Sequence, residues 1–106
     1  MYRGTTPTLP IRVKGVDLTD CRIFLTFEGP TRKQLTLECP RDFTVELDGE
    51  DTVGEVELTQ EQTLMLSAAN HAVQIRWIES DGTAGATKIQ QVSVKDVLLK
   101  GVIHYD

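Results

Sequence analysis

Hydrophobic and polar residues alternate along most of the chain. Successive side chains of a strand point to opposite faces of a sheet, so this alternation is typical of strands with one buried face. The alternating segments are residues 9–13, 23–27, 35–37, 43–47, 56–58 and 73–78. Turn residues separate them, as in Asp48-Gly49-Glu50-Asp51 and Ser80-Asp81-Gly82-Thr83. Short strands at this spacing predict an antiparallel β-sandwich or a small barrel.

One segment breaks the period of two. Thr59 and Gln62 have the spacing of a capping box, in which the threonine side chain and the glutamine side chain each satisfy a free backbone N–H group. Leu64, Met65 and Ala68 follow at helical spacing. The sequence therefore predicts a short helix near residues 60–66 that crosses the end of the sandwich and stops before Asn70 or His71.

The last third of the chain is less regular. Ile89 falls on the opposite parity from Val92 and Val94. A β-bulge near Gln90 and Gln91 would bring all three apolar side chains to the inner face. We see no repeat, linker or low-complexity run, so we expect a single domain over residues 1–106.

Composition narrows the classes of partner. The chain has 106 residues, with 11 Lys and Arg against 16 Asp and Glu, which gives a net charge of −5. A negative protein is poorly suited to bind nucleic acid or an anionic membrane through bulk charge, so we expect neither partner. No long apolar stretch and no signal-peptide pattern occur, so we expect folding in a reducing cytosol.

The two cysteines offer a test of strand register. If Ile23 faces Leu37, the same register places Cys21 opposite Cys39 on the inner face. The thiols would then be neighbours, and a disulfide would be sterically possible. In a reducing cytosol we expect free thiols.

Few residues suggest catalysis or metal binding. The two histidines, His71 and His104, lie far apart, and although Ser67 precedes His71 by four residues, no motif supplies an orienting carboxylate or an oxyanion hole. We therefore expect surface histidines, no catalytic or cofactor-binding residues, and no enzyme. Carboxylates crowd the hairpin over residues 46–57. They fit no calcium-binding loop, so we expect a solvated face, with Ca²⁺ binding as the alternative.

Apolar residues on the outward parity point to an interaction surface. Phe24 and Ile78 face the wet side of their strands, where an apolar side chain marks a contact with a partner. Pro10 lacks an N–H group, so its strand should lie at a sheet edge or bear a kink, and an edge is open to pairing. Trp77 shares the parity of Val73 and Ile75, so we expect it in the core. An exposed Trp77 would instead favour a carbohydrate-binding or adhesion module.

Three segments together resemble a family of phage proteins. The segments are Tyr2-Arg3-Gly4-Thr5-Thr6-Pro7-Thr8-Leu9, then Val56-Glu57-Leu58-Thr59-Gln60-Glu61-Gln62-Thr63-Leu64, and Ala72-Val73-Gln74-Ile75-Arg76-Trp77 with Ser80-Asp81-Gly82-Thr83 and Val92-Ser93-Val94-Lys95-Asp96-Val97-Leu98. They look like the opening, the strand-to-helix element and the closing strands of small tail proteins of phages and prophages of Gram-positive bacteria. The nearest resemblance is to the N-terminal domain of siphophage upper baseplate proteins.

The resemblance implies an Ig-like antiparallel β-sandwich of about seven to eight strands that docks onto a tail tip. It further implies a non-enzymatic structural protein of a phage or prophage tail, associated with the baseplate and acting through protein–protein contacts. The expected partners are other tail or baseplate proteins and further copies of the chain. The expected location is the virion tail, after assembly in the cytoplasm of the host bacterium.

Overall fold

The chain forms eight strands in a computed structural model that describes all 106 residues, and the six alternating segments correspond to the first six strands. The strands are β1 (Thr8–Val13), β2 (Arg22–Glu28), β3 (Gln34–Cys39), β4 (Val45–Asp48), β5 (Asp51–Glu57), β6 (Asn70–Ile78), β7 (Ala84–Ala86) and β8 (Gln90–Ser93). The single helix, α1 (Gln60–Leu64), connects β5 to β6. The predicted all-β class, strand number and short helix are confirmed.

The strands form two antiparallel sheets that face each other. One sheet has the order β1-β5-β4, and the other has the order β3-β2-β6, with β7 and β8 both paired to the far side of β6. In immunoglobulin nomenclature these are the orders B-E-D and C′-C-F-G. The chain is therefore an Ig-like β-sandwich without a separate first strand A.

The core lies between the two sheets and follows from the alternation. On β2, for example, Ile23, Leu25 and Phe27 are buried, whereas Phe24 and Thr26 on the other face are only partly covered. The same alternation on β3 buries Leu35, Leu37 and Cys39. Buried and partly buried apolar side chains of both sheets form one cluster, so the chain folds around a single core.

The predicted pairing of β2 with β3 was wrong by two residues. Ile23 pairs with Cys39, and Leu25 pairs with Leu37. The loop between the strands is five residues long, and Arg32 in it has a positive φ of 65°. Because loop length sets the register of a hairpin, a longer loop than expected moved the partners while leaving the same side chains inward.

The cysteines are consequently not cross-strand partners. Cys39 is buried opposite Ile23, while Cys21 lies just before β2 and is half-buried, and both thiols are free. Burial raises the pKa of the Cys39 thiol. Burial, followed by the neighbouring carboxylates of Glu79 and Asp17, raises the pKa of the Cys21 thiol. Both side chains therefore stay protonated and unreactive at neutral pH.

Helix α1 begins at the predicted capping box. The Thr59 hydroxyl accepts a hydrogen bond from the Gln62 backbone N–H at 3.1 Å, and the Gln62 Oε1 accepts one from the Thr59 N–H at 2.9 Å. The helix ends at Leu64, slightly earlier than predicted, and Met65 is its C-cap. Thr63 is fully buried, and its hydroxyl bonds to the Thr5 carbonyl oxygen at 3.0 Å, which ties the helix to the N-terminal segment.

The register along β6 changes by one residue between β7 and β8. Arg76 pairs with Ala86 but Val73 pairs with Gln90, so three steps on β6 face four steps on the other side. The predicted irregularity exists, but it lies over residues 87–89. Ile89 does not reach the inner face and is 62% exposed, so its predicted burial was wrong. The extra residue returns Val92 and Val94 to the interior side, as expected.

Candidate interaction surfaces

Pro10 lies on an edge strand, as its missing N–H group predicts. Strand β1 pairs only with β5, so one side of its backbone has no partner strand. The side chains of Pro10 and Arg12 point to solvent, while Leu9 and Ile11 are half-buried on the inner side. The edge placement is confirmed, and it leaves backbone groups open to a further strand.

A cleft of about 460 Å³ runs between this edge and the opposite sheet. It lies between β1 on one side and the segment 87–92, including β8, on the other. Its floor is formed by inward-facing residues of β2 and β6, among them Leu25, Phe27 and Ile75. We call this cleft the edge groove. It exists because β1 and β8 do not pair, so the sandwich stays open on this side.

The outer face of the larger sheet carries Phe24 and Ile78, as predicted from their parity. Ile78 is exposed, whereas Phe24 is half-buried because the Arg22 guanidinium lies over its ring, 5.3 Å from the ring centre. Arg22 also bonds to Glu38, which pairs with Phe24 across β2 and β3. The apolar patch is therefore smaller than the sequence suggested, because a charged side chain covers half of it.

The segment 97–106 is the most exposed apolar part of the chain. It contains no strand or helix, and Leu98 and Tyr105 are fully exposed, with Leu99 and Ile103 more than half exposed. Its contact with the body runs through Gln60 of α1, whose side chain donates to the Ile103 carbonyl oxygen and accepts from the Ile103 N–H. We call it the C-terminal segment. Sequence reasoning missed it, although apolar residues occur there at positions 97, 98, 99, 102, 103 and 105.

Asp96 organises the turn that leads into the C-terminal segment. Its carboxylate accepts hydrogen bonds from the Lys100 ammonium at 2.7 Å, the Val97 N–H at 2.9 Å and the Arg3 guanidinium at 3.2 Å. These donors, the Lys100 side chain first, lower the pKa of Asp96 from its ordinary value of 3.8 to about 2. Arg3 in turn donates to the carbonyl oxygens of Leu64 and Leu66, which joins the turn to α1.

The turn at Asp96 is expected to open only in strong acid. Because the pKa of Asp96 is lowered by folding, the carboxylate stabilises the turn fully above pH 3.8 and stops doing so as the pH falls through about 2. In an NMR titration the Val97 amide signal should therefore move near pH 2. An Asp96→Asn variant should lose this transition. A Val97 transition centred at the ordinary value of 3.8 would contradict the assignment.

His71 is buried and is not the surface residue predicted from sequence. It is 2% exposed because it lies on the inward parity of β6, where it pairs with Val92 of β8. Its Nδ1 lies 3.1 Å from the Ala69 carbonyl oxygen, which can only accept, so Nδ1 carries a proton. A methyl group added to Gly29 would lie 2.9 Å from Nε2, which shows how closely the β2–β3 loop covers the ring.

The structure brings Ser67 and His71 to one small cavity of about 230 Å³. Lys33, Thr31 and Arg3 also line it, and no carboxylate does. The Arg3 guanidinium is already bonded to two backbone carbonyl oxygens and to Asp96. Ser67 and His71 make no hydrogen bond to each other, so the nucleophile–base contact on which hydroxyl activation depends is not formed.

Some carboxylates of the hairpin are exposed to solvent, and two others form ion pairs with an arginine. Glu46, Glu55 and Glu57 are exposed on the outer face, as expected. Arg12 of the neighbouring strand binds Asp48 and Asp51, each at 2.6 Å. No group of three or more acidic, histidine or cysteine side chains has the arrangement of a metal site. Asp51 also accepts a hydrogen bond from the Gly15 N–H at 2.9 Å, so its carboxylate binds the loop that follows β1.

Trp77 packs against the core but stays half-exposed at the margin of the sandwich. It pairs with Gly85 of β7, and the indole lies directly over this glycine. A methyl group added to Gly85 would lie 2.4 Å from the indole Cζ2. Glycine is therefore required at this position by the aromatic ring and not by a turn.

Replacement of Gly85 by alanine is expected to displace the indole. The free energy of unfolding should fall by about 1–3 kcal/mol, the usual effect of overpacking. Because Trp77 is the only tryptophan, its fluorescence reports the change directly, and emission should shift to the red with faster acrylamide quenching. Ala86→Val, at the next and exposed position of β7, is the control and should change stability by less than about 0.5 kcal/mol. Equal effects of the two substitutions would rule out the packing assigned to Trp77.

Helix α1 is the only helix, and its five residues fall far short of the thickness of a bilayer. No protein-family model matches the chain, and no curated protein is similar to it in sequence.

Proposed function

We propose that this protein is a non-enzymatic structural protein that assembles into a phage or prophage tail, near the baseplate, through protein–protein contacts. The observation that carries the protein-contact part is the C-terminal segment, where four large apolar side chains stand in solvent. Exposed apolar clusters of this kind are typical of surfaces that a partner covers. The tail and baseplate part comes from the resemblance of the three sequence segments.

The two other surfaces suit the same role. The edge groove offers unpaired backbone groups above an apolar floor, and Ile78 adds an exposed apolar side chain on the outer face of the larger sheet. Strand edges and apolar side chains are the usual means by which sandwich domains pack against their neighbours. Copies of this chain and other tail proteins are the partners that the proposal names.

The proposal is tested on purified particles. A strain that carries the gene is induced, particles are purified on a density gradient, and tail fractions are examined by mass spectrometry and immunogold electron microscopy. We expect peptides of this chain to copurify with tails at constant stoichiometry and gold to label the tail tip. Absence of the chain from tails, combined with a gene distant from every tail-protein gene, would refute the proposal.

A carbohydrate-binding or adhesion module is the second candidate, because Trp77 is only half-buried. Aromatic side chains with an open face are common platforms for sugars, and Gly85 covers part of this indole. Titration with cell-wall glycan fragments distinguishes the two functions. A saturable change of Trp77 fluorescence would favour the lectin, and constant fluorescence would favour the assembly protein.

A further inference from the structure

The edge groove lacks a strand on each of its sides. Strand β1 pairs only with β5, and the second edge of β8 is contacted only at Ser93, by Met1, so two largely unpaired backbone edges face each other across the groove. Leu25 and Phe27 form the floor between them. A strand placed there would find backbone hydrogen-bond partners at its side and an apolar surface beneath alternate side chains.

The C-terminal segment has the sequence pattern of such a strand. Val97, Leu99, Ile103 and Tyr105 share one parity, with Gly101 between them, whereas the other parity mixes Leu98 and Val102 with Lys100, His104 and Asp106. In an extended conformation the first set would form one apolar face. In the structure the segment forms no strand, and Leu99 is 72% exposed. A face that is mostly apolar and has no partner strand in its own chain is suited to pairing with another molecule.

The chain's own groove is poorly placed to receive this segment. Residues Met1 to Arg3 already lie beside residues 93–95, where the Met1 ammonium donates to the Ser93 carbonyl oxygen at 2.6 Å and the Lys95 N–H donates to that of Met1 at 2.8 Å. To lie beside residues 87–92, the segment would have to reverse direction past Met1–Arg3 and release Gln60. A segment that arrives from a second copy also has to release Gln60 of its own chain, but it does not have to reverse direction past Met1–Arg3.

Length and interface size also fit a second copy. Nine extended residues span about 30 Å at about 3.3 Å per residue, more than the six residues of β1 require. Reciprocal exchange would use nine residues of the segment and the 14 residues that line the groove, or 23 from each partner. Stable protein interfaces use about 20–30 residues from each partner.

We propose that residues 97–105 of a second copy add a strand to the edge groove between β1 and β8, and that this exchange joins copies of the chain. The inference rests on the proposed function in so far as both make protein contacts the activity. It names the first partner as the chain itself and assigns both surfaces of the contact.

The first test is sedimentation velocity of the full chain, in the presence of reductant, over a range of protein concentrations. We expect a concentration-dependent species with at least twice the monomer mass. Tyr105→Asp should raise the dissociation constant at least about tenfold, because a charged side chain replaces an apolar one in the groove. Leu98→Asp is the matched control, since Leu98 is equally exposed but lies on the opposite parity, and it should leave the dissociation constant within about twofold. Both positions lie in solvent in the single chain, so neither variant should alter its fold.

The second test locates the contact. The Tyr105→Asp protein, labelled with ¹⁵N, is titrated with a synthetic peptide of residues 97–106. We expect shifts of backbone amides in β1 and residues 87–92, and no shifts near Phe24. A peptide with aspartate at the position of Tyr105 should bind at least about tenfold more weakly.

Three results would each overturn the inference: a monomer at every concentration, equal effects of Tyr105→Asp and Leu98→Asp, or peptide shifts outside the groove. The outcomes also separate the two proposals. A monomer that is found in purified tails removes the strand exchange alone. A strand-exchanged dimer that is absent from tails removes the proposed tail function alone.

Discussion

Replacement of Phe27 by alanine is expected to lower the free energy of unfolding by about 3–5 kcal/mol. Phe27 is the largest fully buried side chain, it lies on the central strand pair of the larger sheet, and it also forms part of the groove floor. Its removal leaves a cavity between the sheets that the surrounding strands cannot close. The loss is a large share of the roughly 5–15 kcal/mol that stabilise a domain, so the variant should unfold at much lower denaturant concentration.

Phe24 supplies a control of the same residue type on the same strand. It lies three residues earlier, faces outward, and has the Arg22 guanidinium over its ring. Phe24→Ala should therefore cost no more than about 1 kcal/mol. Both variants are compared by denaturant unfolding that is followed by Trp77 fluorescence. Losses of similar size at Phe27 and Phe24 would mean that the assigned inner and outer faces of β2 are incorrect.

Thr52→Val is expected to destabilise the protein by about 1–3 kcal/mol, although the two side chains have nearly the same shape. The buried Thr52 hydroxyl accepts a hydrogen bond from the Leu18 N–H at 2.8 Å and donates one to the Val16 carbonyl oxygen at 2.7 Å. Valine would leave the Leu18 N–H buried without a partner. Since these two bonds hold the loop between β1 and β2 against β5, hydrogen exchange of the Leu18 amide should also become faster.

Thr36→Val is the matched control for this loss. Thr36 lies on the outer face of β3, and its hydroxyl contacts that of Thr26 at 3.0 Å in a place open to water. Water replaces the lost bond there, so the change in the free energy of unfolding should stay within about 0.5 kcal/mol. Thr52→Ser should keep most of the wild-type stability because it keeps the hydroxyl group. If Thr52→Val behaved like Thr36→Val, the two buried hydrogen bonds would not hold the loop.

The inward and outward positions of β2 and β3 followed from alternation, but their pairing did not. A shift of two residues keeps every side chain on its face, so the hydrophobic pattern permits either register equally well. The length of the loop over residues 29–33 decided between them, and with it the separation of Cys21 from Cys39. Parity along β6 predicts that the side chain of His71 points inward. A surface position was expected instead, because no catalytic motif surrounds this residue. The structure shows that His71 is buried and packed beneath Gly29.

Some features of the surface also followed from the sequence, and others became visible only in the structure. Parity placed Phe24 and Ile78 outward, and the chemistry of proline placed Pro10 at an edge. Arg22 lies two residues before Phe24 on the same face of β2, but only the structure shows that its guanidinium turns over the ring. The edge groove likewise requires knowledge of which strands fail to pair, because its two sides come from opposite ends of the chain.

The sequence by itself determined the all-β class, the faces of the strands and the start of α1 at Thr59, since alternation and capping depend on neighbours in the chain. Tertiary structure alone decided the register of β2 with β3, the exposure of Ile89 and the open groove beside β1. These features depend on contacts between residues distant in sequence, where a loop that is longer by two residues or a strand pair that is absent changes the partners without changing the pattern.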